Sequence, residues 1–65
     1  MSDFTADELR VVARWLLAER ELVSVFMSHT SDADEKRACV NDKATLWALY
    51  GTVQQRLAAL ENVGA

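Results

Sequence analysis

Residues 32–63 read DADEKRACVNDKATLWALYGTVQQRLAALENV, and this stretch decides the fold. It holds no proline, and its single glycine is Gly51. Cys39, Lys43, Leu46, Tyr50, Val53, Leu57 and Leu60 follow one another at alternating spacings of four and three. That is the repeat of a helix with one buried seam. Roughly thirty residues at about 1.5 Å each make a rod about 45 Å long. One helix cannot bury its own seam, so the residues before it must supply a partner.

Working back from Asp32, the chain reads His29-Thr30-Ser31, a break in apolar patterning. Asp32 with Glu35 fits a capping box, and Asp34 adds negative charge at the same helix start. Before the break lies a second helical pattern, expected over about residues 6–28. Thr5-Ala6-Asp7-Glu8 is its capping box, and Phe4 with Leu9 forms a hydrophobic staple across it. The apolar positions Leu9, Val11, Val12, Trp15, Leu16, Leu17, Leu22, Val23, Val25, Phe26 and Met27 for the most part spread over more than half the circumference of this helix. Packing on one neighbour needs a stripe of roughly 100°, so the width predicts contact with more than one helix. Arg10, Arg14 and Glu21 mark the narrower solvent face. The turn covers residues 29–32 and the second helix about 33–62, with Gly64 as a C-cap glycine.

The fold class is therefore all-α: an antiparallel two-helix hairpin, since so short a link joins antiparallel neighbours. With the turn near residue 30, Trp15 falls level with Leu46 and Trp47, and Leu9 with Val53. Leu57 and Leu60 extend beyond the start of the first helix. A seam longer than its intrachain partner predicts a homodimer, with two hairpins forming a four-helix bundle.

Composition narrows the rest. Sixty-five residues suffice for one small domain, marginal by itself. Cys39 is the only cysteine, which excludes a disulfide within one chain and fits a reducing, cytoplasmic setting. One histidine and one cysteine in different segments offer no zinc spacing, so neither metal nor cofactor is expected. Seven Lys+Arg against ten Asp+Glu is not the charge of a duplex-DNA binder. The apolar runs, of which Leu46–Tyr50 is the longest and Trp15–Ala18 among the next, are far too short for a membrane span, and no signal peptide is expected.

Glu19 and Lys43 interrupt the apolar pattern of the two helices at nearly the same level. They are expected to pair, within the hairpin or across a dimer, and to fix register; the plainer alternative is that both side chains reach solvent at an edge. On the second helix Val40, Ala44, Trp47, Gly51 and Ala58 form a further face, about 100° from the seam. Gly51 in mid-helix costs about 1 kcal/mol relative to alanine, which close approach of another helix or of a large side chain would offset. This face is read as a dimer core, or else as a groove for a different protein with Trp47 as anchor. Trp15 and Trp47 are both expected to contribute core area. His29 suits the negative end of the first helix, and Cys39 acts as a small buried hydrophobe. No nucleophile, base and orienting group occur together, so the chain is not expected to be an enzyme.

The size, the hairpin of two long helices and the Asp32-Ala33-Asp34-Glu35 turn resemble the Rop family of plasmid copy-number regulators. The resemblance implies an antiparallel four-helix bundle and, with it, binding of paired RNA loops by a ridge on the first helix. Arg10 and Arg14, with Lys36 and Arg37, are what this chain offers for that role. The leading expectation is a small non-enzymatic regulatory protein that self-associates and binds another protein through a helix face. Compact genomes, such as those of bacteriophages, encode many such proteins. RNA binding is the alternative.

Overall fold

A computed structural model describes residues 4–64, with side chains up to residue 62. It shows two helices, α1 over Ala6–His29 and α2 over Ala33–Gly64, packed against each other as a hairpin of 49 × 16 × 14 Å. Among the described residues no helix is long and apolar enough to cross a membrane. Gly64, expected as the cap of a helix ending near residue 62, is itself helical, so α2 runs further than expected; the lead-in Met1–Asp3 lies outside the described residues.

The start of α1 closes as a reciprocal box. The Glu8 amide donates to Thr5 Oγ1 at 3.2 Å, and the Thr5 amide donates to Glu8 Oε1 at 3.0 Å. Two N–H groups that the helix leaves without partners are satisfied in this way. At its other end α1 stops on Thr30, whose extended backbone cannot continue the helix, and the Thr30 amide closes on the Phe26 carbonyl at 3.1 Å.

The start of α2 departs from the expected box. Asp32 Oδ1 accepts from the amides of Asp34 at 2.8 Å and Glu35 at 3.1 Å. Glu35, however, does not return to the Asp32 amide. The Asp32 amide donates to Thr30 Oγ1 at 3.3 Å, and that hydroxyl donates to Glu35 Oε2 at 2.9 Å. Thr30 thus relays the bond and ties the end of α1 to the start of α2.

The seam of α1 runs through Ala6, Leu9, Ala13, Leu16, Arg20, Val23 and Met27, at spacings of three and four, each buried or half-buried. Opposite it, α2 presents Cys39, Lys43, Leu46, Tyr50, Val53 and Leu57, also buried or half-buried. The core proper is Leu9, Ala13, Val53 and Leu57, with Ala6, Val12, Leu16 and Tyr50 packed against it. It sits in the half of the hairpin away from the turn; near the turn only Cys39 is buried. Arg20 lies between Leu16 and Val23, and Lys43 between Leu46 and Cys39. Two cations thus occupy one level of the seam, and an apolar core cannot run through heads that must stay hydrated.

Three expectations need correction. Trp15 and Trp47 are not core residues: each is one position off its helix's seam, turned by about 100°, and they remain 70% and 54% exposed. Leu57 is covered by its own chain, because α1 contacts α2 about one turn further along than a turn centred on residue 30 implies. Only Leu60 of the long seam is left exposed.

Replacing Leu9 by alanine should lower the unfolding free energy by about 2–5 kcal/mol, the cost of a cavity in a core with few other members; urea unfolding followed by circular dichroism reads this. The start of α1 should also respond to acid. Hydrogen bonds from Thr5, first its backbone and then its side chain, hold the Glu8 carboxyl below its ordinary value of 4.5. A carboxyl lowered in the folded chain contributes stability that is present above its ordinary value and lost as pH falls through the lowered one. Protection of the first-turn amides of α1 against exchange, taken relative to the unstructured chain at the same pH, should therefore fall below about pH 4.5, and Glu8→Gln should remove that fall.

Candidate functional site

A hairpin of two helices has two broad sides. Residues one position before each seam residue form one of them: Val12, Trp15, Glu19, Leu22 and Phe26 on α1, with Ala38, Asp42 and Thr45 on α2. Grooves between the helices confirm the grouping. The largest holds about 570 Å³ and is lined by Glu19, Leu22, Val23, Phe26, Glu35, Ala38, Cys39 and Asp42. A second of about 440 Å³ is lined by Val12, Trp15, Leu16, Ala18, Glu19, Leu22 and Leu46. A further recess lies on α1 alone, where Phe4, Val11, Val12 and Trp15 stand with Asp7 and Glu8. Every charged side chain lining these grooves is an acid. We call this the acidic side; Arg56, one position before Leu57, is the arginine on its line.

Residues one position after each seam residue form the other side. Here α1 contributes Arg10, Arg14, Leu17 and Glu21, and α2 contributes Val40, Ala44, Trp47, Gly51, Gln54, Ala58 and Glu61. Arg10, Arg14, Leu17, Tyr50, Gln54 and Leu57 line one groove on it, which ties the two lines of residues together. The α2 residues singled out in the sequence, Val40, Ala44, Trp47, Gly51 and Ala58, are all exposed on this side. A β-carbon built at Gly51 would meet nothing within 4 Å. No neighbouring helix of the same chain offsets that glycine.

Glu19 is exposed and stands in the middle of the acidic side, while Lys43 is half-buried in the seam. Among the described residues the ion pairs are Arg10–Asp7 at 2.8 Å, Arg10–Glu61 at 3.6 Å and Arg37–Asp34 at 3.6 Å; none joins Glu19 to Lys43 within the hairpin. The polar member of the α1 seam is Arg20, which the sequence reading passed over. Its signal was there: position 20 continues the spacing of Leu9, Ala13 and Leu16. The Arg20 guanidinium carbon lies 5.0 Å from the centre of the Trp47 ring, and Trp47 stacks on Tyr50 with centroids 5.5 Å apart and planes 20° from parallel. An exposed cation–π contact contributes about 0.5–1 kcal/mol. Arg20 Nε is buried without a hydrogen-bond partner.

Arg10 is engaged by two carboxylates and Arg37 by one, which leaves Arg14 as the arginine of the short basic ridge with no ion pair among the described residues. Cys39 is a free, buried thiol. Among the described residues no three His, Cys, Asp or Glu side chains gather as metal ligands. In comparisons with known proteins the chain matches no family model, and no curated protein or solved structure is significantly similar to it.

Gly51→Ala should stabilise the dilute chain by about 0.5–1 kcal/mol, since the helix gains propensity and the added methyl meets nothing. Denaturant unfolding at low protein concentration checks the sign.

Proposed function

We propose that this chain is a non-enzymatic interaction protein, which self-associates as a homodimeric four-helix bundle and binds another protein through a helix face. One observation carries the reading: large apolar side chains stand exposed on both broad sides of the hairpin. Trp15, Leu22 and Phe26 lie on the acidic side, and Leu17, Val40 and Trp47 on the other. A single two-fold contact covers one side of each hairpin and leaves the other apolar. Self-association alone does not account for both.

The exposed area supports the same reading. A compact monomer of 7.3 kDa exposes about 4,200 Å². This hairpin exposes 4852 Å². The excess, about 650 Å², approaches the roughly 800 Å² that each partner buries in a standard interface. RNA binding draws less support, because two of the four basic residues it would use, Arg10 and Arg37, already hold carboxylates.

Light scattering across a concentration series should give a mass of two chains, and Trp47→Ala should move the dissociation to higher concentration. A chain that stays monomeric to millimolar concentration would overturn self-association.

A further inference from the structure

We infer that a second copy of this chain docks on the side of Arg14 and Trp47, related to the first by a two-fold axis passing beside Leu17. The inference rests on the self-association proposed above and adds which side is used and in what register.

In a two-fold contact between antiparallel helices, residue i meets residue j and j meets i. On α1 the line reads Arg14, Leu17, Glu21, with opposite charges three residues before and four after the leucine. An axis beside Leu17 brings Leu17 near its own copy and sets each Arg14 against the partner's Glu21, twice over. Among the described residues Arg14 and Glu21 are both exposed, and neither makes an ion pair. Both charges are thus open to a second copy.

The same axis orders α2. Centred between Trp47 and Gly51, it sets Trp47 against the partner's Gly51 and Val40 against the partner's Ala58. The bulkiest exposed residue of the line then meets a glycine at which an added β-carbon would find nothing within 4 Å. Both centres lie at one level of the hairpin: Arg14 and Leu17 share a groove with Tyr50 and Gln54. A single axis serves both helices.

The acidic side fails the same test. Its α1 line is Val12, Trp15, Glu19, Leu22, Phe26, with Glu19 in the middle. The two-fold register that matches apolar with apolar there places Glu19 against the partner's Glu19, and Glu35 and Asp42 line the same groove. Like charges set face to face oppose pairing. The second copy therefore covers the side of Arg14 and Trp47, and the acidic side stays open for a different protein.

Charge exchange tests the register. Arg14→Glu and Glu21→Arg should each raise the dimer dissociation constant about tenfold, since each reversal sets like charges together twice. The double variant, Arg14→Glu with Glu21→Arg, should return it to within about twofold of the parent, because the pairs re-form with signs exchanged. Circular dichroism checks that helix content is unchanged. In Trp15→Phe, whose only tryptophan is Trp47, acrylamide quenching should fall at least twofold as the dimer forms. Additive weakening in the double variant, or unchanged quenching of Trp47, would overturn this register while leaving self-association standing. Tighter association in Glu19→Gln would overturn it in favour of the acidic side. A monomeric parent chain would overturn both.

Discussion

Two packed helices can cover one stripe on each other and no more. In this hairpin the stripe runs from Ala6 to Met27 on α1 and from Cys39 to Leu57 on α2, and most of what lies one residue to either side, Val12 and Ser24 apart, stays in solvent. Both helices carry apolar residues beyond the stripe, most of those of α1 on the side of Trp15 and the largest of α2 on the side of Trp47. This geometric limit, rather than any single contact, gives the protein two unlike surfaces. One combines Trp15, Leu22 and Phe26 with Glu19, Glu35 and Asp42. The other combines Trp47, Val40 and Leu17 with Arg14 and Glu21.

The level of Arg20 and Lys43 shapes what the stripe can bury. Each carries a head that must reach water or a substitute for it, and Arg20 finds one in the Trp47 ring. Burial is concentrated beyond that level, among Leu9, Ala13, Val53 and Leu57. At the turn, polar contacts do what apolar contacts do elsewhere. The Thr30 hydroxyl accepts from Asp32 and donates to Glu35, holding the two helix ends in sequence without a glycine.

Much of this fold was legible in the sequence, because its strongest signals are local. The Thr5 box, the Asp32 cap and the α2 spacing each follow from residues within a few positions of one another. What escaped notice depended on angle. Trp15 and Trp47 look like core by type, yet one residue of phase moves each out of the seam. Glu19 drew attention as a charge among apolar neighbours, while Arg20, one step along, occupies the seam itself. The relay through Thr30 was beyond pattern reading, since a hydroxyl outside both helices had to stand between an amide and a carboxylate. The α2 face of Val40, Ala44, Trp47, Gly51 and Ala58 was visible as a stripe, but which side of the hairpin it would share depended on how α1 lay against it.

The placement of the core also bears on the order in which the molecule can assemble. Hairpins whose strongest contacts lie beside the turn can close from the turn outward. Here the buried residues Leu9 and Ala13 meet Val53 and Leu57 across some forty residues of chain, while the turn half buries little. Closing so long a loop carries an entropic penalty before any apolar contact is gained. The penalty falls when the loop is already stiff, and two well-capped helices make it so. The rate of folding should therefore depend on helix formation at Thr5 and Asp32, far in sequence from the contacts that finally hold the hairpin shut.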